Sequence, residues 1–200
     1  MQVCAIPGLN LAVSPDQVPP PSQQVVADSG VAVLAGGCFW CTEAVFAQLE
    51  GVIGIEPGYA GGLAENANYR AVCTGLSGHA EAIRIRYDPA RITYGRLLQV
   101  FFAVAHDATQ IDRQGNDIGS QYRSAIFSQD AGQERIALNY IRQLQQSGAF
   151  LGDIATTVEP GQVFHPAEAY HYDYAARHPE QPYVRAVSKP KVDKLREYFR

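Results

Sequence analysis

The sequence predicts an α+β domain, a mixed β-sheet with helices packed on it. Three observations carry that expectation. Short runs rich in Val, Ile and Ala alternate with stretches of helical periodicity after residue 30. Several connections between them are too short for the crossover that parallel neighbours need, so antiparallel pairs must occur. The 200-residue chain is 46% hydrophobic and only 18% charged, which suits one buried core and argues against highly charged disorder.

The elements follow in order. Residues 1–29 are rich in Pro, Ser and Gln, with Pro19, Pro20 and Pro21 in a row, and are expected to form an extended arm. Residues 30–200 are expected to form a single domain. It starts with a buried strand at 31–35, Val-Ala-Val-Leu-Ala, broken by Gly36 and Gly37. A helix follows from Phe39 towards Leu49 and ends at Gly51. Residues 52–59 read as a second strand, closed by Gly58, Gly61 and Gly62. Residues 61–78 form a long Gly- and Asn-containing loop, and loops of that length inside compact domains often carry function. Residues 80–87 alternate Ala and Ile with Glu and Arg, a strand pattern that Asp88 and Pro89 turn. Thr93 is placed to cap a helix whose apolar face includes Leu97, Leu98, Phe101 and Phe102. A second polar loop covers 106–121. Residues 122–127 then read as a strand, 130–146 as a helix and 154–158 as a strand. An aromatic-rich short helix is expected at 167–177 and another helix at 191–199.

The informative segment is Gly36-Gly37-Cys38-Phe39-Trp40-Cys41-Thr42-Glu43. Cys38 stands where a buried strand gives way to a helix. Free N–H groups and about half a positive charge at a helix start favour a thiolate, so a lowered pKa is expected there. Two glycines let the backbone turn sharply and let a substrate approach. Phe39 and Trp40 can wall the sulfur with apolar surface, as a small apolar group would require. Cys41 makes a C-x-x-C pair with Cys38, both sulfurs on one side of the first turn. The pair reads as a dithiol redox couple, as half a zinc site, or as one active cysteine with a bystander. Zinc needs two more ligands, usually a second close pair, and Cys73 and His79 are not so spaced. Redox chemistry is therefore favoured, no metal is expected, and a general dithiol oxidoreductase and a zinc module stand as the competing classes.

Composition excludes other classes. Sixteen Lys and Arg against twenty Asp and Glu give a net charge of −4 and no global basic field to hold nucleic acid. No stretch approaches the roughly 18 apolar residues of a membrane span. The first 27 residues hold no Lys or Arg and one acid, Asp16, so neither part of a secretory signal is present. A cytoplasmic location is expected, or a periplasmic or secreted one if a signal was removed. Four cysteines are too few for a disulfide scaffold, and the one methionine, Met1, leaves no internal thioether to oxidise. No heptad pattern demands a partner helix, so a monomer is expected. The only lysines, Lys189, Lys191 and Lys194, lie together near the C-terminus without an evident role.

Five motifs in register then carry a resemblance. Gly37-Cys38-Phe39-Trp40 is followed by Gly58-Tyr59-Ala60-Gly61-Gly62, by Tyr69-Arg70-Ala71-Val72-Cys73-Thr74-Gly75 with Gly78-His79-Ala80-Glu81-Ala82, by the run from Arg113 to Ser124, and by Ala167-Glu168-Ala169-Tyr170-His171. Over about residues 31–178 the chain resembles the peptide methionine sulfoxide reductases of type A, in the subgroup with Gly-Cys-Phe-Trp-Cys. The resemblance omits the arm. It implies a two-layer α+β sandwich with a mixed, ferredoxin-like sheet, helices packed on it and long coil segments, with 30–200 as the catalytic domain.

The resemblance also implies an activity: reduction of the S epimer of methionine sulfoxide, free or in proteins, with thioredoxin as the external dithiol and no bound cofactor. Cys38 would be the nucleophile and pass through a sulfenic acid. Glu81 would be the proton donor, kept protonated by burial. Tyr69 and Tyr122 would hydrogen-bond the sulfoxide oxygen, Asp117 would help orient the substrate, and Phe39 and Trp40 would hold the S-methyl group. His79 would order its loop, and Glu168, Tyr170 and His171 would support the site structurally. Better-known relatives keep their resolving cysteines in a C-terminal tail, and residues 181–200 contain none here. Cys41 then ranks first as resolver, Cys4 or Cys73 next, with direct reduction by thioredoxin as the remaining route. Tyr172 stands where relatives often carry Gln after Tyr-His.

Overall fold

The structure, a computed structural model, describes residues 13–22 and 30–199. Among the described residues, eight strands form two sheets. They are β1 (Val31–Gly36), β2 (Val52–Ala60), β3 (Ala80–Tyr87), β4 (Arg113–Gln114), β5 (Asp117–Ile118), β6 (Ser124–Phe127), β7 (Thr157–Val158) and β8 (Phe164–Pro166). The helices are α1 (Phe39–Phe46), α2 (Tyr69–Val72), α3 (Tyr94–Val100), α4 (Ala131–Ser147), α5 (Tyr174–Arg177) and α6 (Lys189–Tyr198). The main sheet runs β7-β6-β1-β3-β2-β8, and β4 with β5 make a separate hairpin. β1 pairs antiparallel with β3 and β6, β2 antiparallel with β3 and β8, and β6 parallel with β7. The expected mixed sheet of an α+β fold is therefore present.

Burial explains the sequence pattern. β1 is central, and Ala32–Gly36 are buried on both faces, so it reads as a continuous apolar run rather than an alternation. One face holds Leu34, Tyr59, Ile83 and Ile85 against the helices; the other holds Val33, Ala35, Ala80, Ala82, Ala125 and Phe127. α4 buries Gln133, Ile136, Ala137, Tyr140 and Leu144, the spacing of one helical face. Thr93 caps α3 as expected, its hydroxyl accepting from the Arg96 amide at 3.1 Å. α1 is enclosed on most sides: Phe39, Cys41, Thr42, Glu43, Val45 and Phe46 are all buried.

Several boundaries differ from expectation. Tyr122 lies in a 3-10 turn (Ser120–Tyr122), and the strand starts only at Ser124. The expected strand at 154–158 shrinks to Thr157–Val158. The expected helix at 167–177 splits into a 3-10 turn (Ala169–His171) and α5, because Asp173 adopts φ 52° and its amide donates to Glu43 Oε1 at 3.0 Å. α6 begins at Lys189, after a π-turn (Val184–Ser188). The short edge strand β8 ends on Pro166, which pattern alone does not reveal.

Of residues 1–29, only 13–22 are described, and Cys4 and Met1 lie outside. Those ten residues lie on the helices. Gln99 Nε2 donates to the Val18 carbonyl at 3.0 Å, and the Tyr140 hydroxyl to the Pro19 carbonyl at 2.7 Å. Among the described residues no helix is long and apolar enough to cross a membrane.

One local contact gives a clean stability test. Asp130 is exposed, and its carboxylate accepts the Gln133 amide at 2.8 Å to cap α4. Asp130→Ala should cost about 1 kcal/mol and lower Tm by about 2–4 °C in thermal circular dichroism. An unchanged Tm would show that the cap contributes nothing.

Candidate active site

The site begins where β1 meets α1. Gly37 adopts φ 82°, and a Cβ there would lie 2.6 Å from Gln114 Cγ, so this turn requires glycine. Cys38 is the N-cap of α1, and its carbonyl accepts the Cys41 amide at 3.1 Å. The Phe39 amide, one of the helix's unpaired donors, instead reaches Glu81 Oε2 at 3.0 Å. Strand alternation places Glu81 on the same face as Ile83 and Ile85, opposite Tyr59, under the helices and on a central strand. It is 3% exposed. Burial therefore pushes its carboxyl up to about 8, against the opposing pull of the Phe39 amide, and Asp117 and Cys41 add repulsion.

Around these groups stands an aromatic frame. The Trp40 indole N–H donates to His171 Nδ1 at 3.1 Å, and Tyr174 stacks on the same indole with centroids 3.8 Å apart. His171 also faces Phe39 at 4.8 Å and Tyr69 at 4.5 Å. Glu168 ties the tyrosine-bearing loop down: Oε1 accepts the Tyr69 amide at 2.9 Å and Oε2 the Tyr59 hydroxyl at 2.7 Å. His79 pins the same loop, Nδ1 accepting the Gly62 amide at 3.1 Å and Nε2 bonding the Leu63 carbonyl at 3.0 Å.

The result is a cavity of about 230 Å³ lined by Cys38, Phe39, Trp40, Tyr69, Glu81, Asp117 and Tyr122, with Gln181 and Tyr183. Seven residues singled out from the sequence thus converge. Cys41 follows one helical turn after Cys38, buried, and its thiol donates to the Tyr183 hydroxyl at 3.8 Å. Cys73 is exposed, at the C-cap of α2. A hollow of about 330 Å³ behind α1, walled by Ala44, Ala47, Ala175, Ala176 and Val192, is larger but holds no thiol. Among the described residues no group of three or more His, Cys, Asp or Glu is arranged to hold a metal ion.

The thiols correct one expectation. The helix start was expected to lower the pKa of Cys38. Burial outweighs it: desolvation first, then the hydrogen bond and charge of Cys41 and the charge of Glu81, push the Cys38 thiol up. The hydrogen bond from Cys38, then Lys191 and Tyr183, bring Cys41 down against its own burial.

Two further residues escape the sequence reading. Tyr183 lines the cavity, donates to Asp117 Oδ2 at 2.5 Å and meets Trp40 edge-on at 6.2 Å. Its only signal in the sequence is an aromatic among polar and proline residues. Lys191 is buried and donates to the Ala105 carbonyl at 2.7 Å; its signal was a lysine cluster in a chain that otherwise uses Arg.

Comparison with known proteins shows the family. A family profile described as "Peptide methionine sulfoxide reductase" matches residues 30–200. The peptide methionine sulfoxide reductase MsrA of Thermus thermophilus is 51% identical over 170 residues, covering 85% of this chain and 95% of that one. That of Picrophilus torridus is 50% identical over 169 residues, covering 84% and 94%. Among solved structures, reduced Mxr1 from Saccharomyces cerevisiae superposes with a TM-score of 0.70 at 31% identity, over 78% of this chain and 90% of that one. Methionine sulfoxide reductase A of Corynebacterium diphtheriae gives 0.64 at 34%, over 88% of each. The chain belongs to the peptide methionine sulfoxide reductase family and is an oxidoreductase of that kind.

Proposed function

We propose that the chain reduces the S epimer of methionine sulfoxide, free or in proteins, by attack of Cys38, with Cys41 closing a disulfide that thioredoxin then reduces. One observation carries this reading. A thiol, a carboxyl kept protonated by burial and two tyrosine hydroxyls face one small cavity with an aromatic wall. A sulfoxide needs that set: a soft nucleophile for its sulfur and proton donors for an oxygen that is otherwise a poor leaving group.

Glu81 and the Tyr69 and Tyr122 hydroxyls receive the sulfoxide oxygen. Burial pushes both phenols up, so they stay protonated and donate. Asp117 and Tyr183, hydrogen-bonded to each other, complete the lining. The S-methyl group lies against Phe39 and Trp40. A sulfur centre held at its oxygen and its methyl group and attacked by Cys38 leaves its fourth substituent one direction, so such a site selects one epimer. The S assignment rests on the family resemblance.

As the polarised sulfur meets Cys38, the Cys38 proton passes to Cys41, its hydrogen-bonded neighbour. The Cys38 thiolate attacks sulfur, Glu81 gives its proton to the oxygen, and the hydroxyl transfers to Cys38. Methionine leaves, and Cys38 holds a sulfenic acid. Cys41 then attacks that sulfur, the S–O bond breaks and water departs. Closing this bond loosens the first turn of α1, where the Cys41 and Thr42 amides bond the Cys38 carbonyl at 3.1 and 3.4 Å. A partner dithiol, thioredoxin, regenerates both thiols by exchange. The two-layer, ferredoxin-like assignment belongs to the same reading, and the β1-α1-β2-β3-α3-β6 succession in the order β6-β1-β3-β2 supports it.

Cys38→Ser should abolish turnover of S-methionine sulfoxide while leaving Tm near wild type. Glu81→Gln should slow first-turnover methionine release by roughly 10²–10⁴-fold in rapid-quench measurements. An unchanged rate removes Glu81 from proton donation. For the resolver, intact-protein mass spectrometry after one turnover without reductant should show a Cys38–Cys41 disulfide, and a free Cys41 thiol would refute it. Glu81 also sets a pH dependence. Its folded pKa of about 8 lies above the ordinary 4.5, so its contribution to stability is complete below about pH 4.5 and is lost as pH rises through 8. The Tm of Glu81→Gln relative to wild type should climb from pH 5 to pH 8. Glu43, buried and pushed up to about 7, is present in both proteins and cancels. A gap that stays flat with pH would contradict the buried, protonated carboxyl.

A further inference from the structure

Of the nine residues that line the Cys38 cavity, eight have a place in the proposed chemistry or in its walls, and Gln181 has none. It stands just before the helical stretch that begins at Pro182 and runs through the π-turn into α6. Its backbone is fixed on both sides: the amide donates to the His178 carbonyl at 3.1 Å, and the carbonyl accepts the Arg185 amide at 3.0 Å. Its side chain is committed at one end only. Oε1 accepts the Val184 amide at 2.9 Å, the bond that an N-cap residue makes to the third residue of its helix. The donor is an N–H, so the accepting atom is the carboxamide oxygen, and the NH2 group is the end left over. Among the described residues that NH2 group has no hydrogen-bond partner.

Capping alone does not call for glutamine. Ser, Thr, Asp and Asn are the preferred caps, and each is shorter. What glutamine adds is a pair of N–H donors beyond the cap, on a residue that lines the cavity. The sulfoxide oxygen goes to Glu81, Tyr69 and Tyr122 and the methyl group to Phe39 and Trp40, so none of these holds the substrate's main chain. Asp117 gives Oδ2 to the hydroxyl of Tyr183, two residues after Gln181, so an acceptor stands near this donor. An amino-acid residue carries the complementary pair, an N–H and a C=O on one Cα. A main-chain carbonyl that entered an aromatic-walled cavity without a donor would lose its water with no replacement.

We propose that Gln181 is a specificity-determining residue whose carboxamide N–H donates to the main-chain carbonyl of the oxidised methionine. The site then favours a sulfoxide carried on an amino-acid residue over one without that carbonyl. This deepens the reading of the cavity as a methionine sulfoxide site and rests on it. No bond forms or breaks in this contact. Gln181 holds substrate and transition state alike, so it acts on KM more than on kcat.

The test compares two substrates, both as S-sulfoxides. N-acetyl-methionine sulfoxide N-methylamide carries the carbonyl; N-acetyl-γ-(methylsulfinyl)propylamine keeps the side chain and the N–H but lacks it. Wild type should favour the first. In Gln181→Glu, which keeps the capping oxygen at the same reach and loses the donor, the ratio of kcat/KM for the first to that for the second should fall roughly 3- to 10-fold, mainly through KM. Gln181→Ser keeps a cap, adds no charge and is too short to reach the substrate, so it should give the same fall. A residue that merely braced the helix start would slow both substrates together and leave the ratio in place. An unchanged ratio in both variants, or a wild type that treats the two substrates alike, overturns the proposal while the reading of the cavity stands. If wild type reduces neither substrate, that reading fails and the inference falls with it.

Discussion

The hydrogen bond from the Phe39 amide to Glu81 Oε2, 3.0 Å long and buried, joins the two halves of the site. It fastens the first residue of α1 to the central strand β3. A helix start has donors without partners, and a buried carboxyl needs a donor. Each satisfies the other, which fixes Cys38 one residue before the donor and Glu81 within the same cavity. The bond leaves the second carboxyl oxygen and the acid proton available to a substrate. It also explains why Glu81 tolerates burial without an ion pair: at neutral pH it is an uncharged acid, held by one amide.

The aromatic frame follows from the same constraint. A carboxyl that stays protonated up to about pH 8 requires a site where water is scarce. Trp40 is sandwiched by Tyr174 and bonded by His171, while Glu168 anchors Tyr59 and Tyr69. Glu43, on the far side of α1, holds the Asp173 amide that turns the chain into α5. The C-terminal third thus wraps the helix whose sulfurs it shields. This is why α1 has no clean polar face, and why the 167–177 segment does not run as the single helix its composition suggests.

Legibility in the sequence divided along the same line. β1, β3, α3 and α4 were readable because local pattern and burial agree in them: Thr93 and Asp130 cap, and α4 shows one apolar stripe. Cys38 was readable because strand, two glycines and helix are contiguous. Glu81 was readable as a residue but not as a buried one, since only strand order shows that β3 is central. Strict alternation does assign it to the Ile83 side. Tyr183 and Lys191 were illegible because their roles depend on where α6 and the π-turn before it pack, more than 140 residues from Cys38. Local propensity contains nothing about that contact.

The thiol assignment shows how a correct local rule can yield the wrong sulfur. A helix N-terminus does favour an anion, but worth on the order of 1 kcal/mol it is small beside the cost of burying a thiolate near a carboxyl. Cys38 pays that cost; Cys41, one turn along, is relieved of it by its neighbour's proton, by Tyr183 and by Lys191. On the proposed mechanism, a Cys38 thiol that rests protonated reacts only once a substrate sulfur and the Glu81 proton are both in place, and the more acidic Cys41 is the sulfur that the closing step calls on.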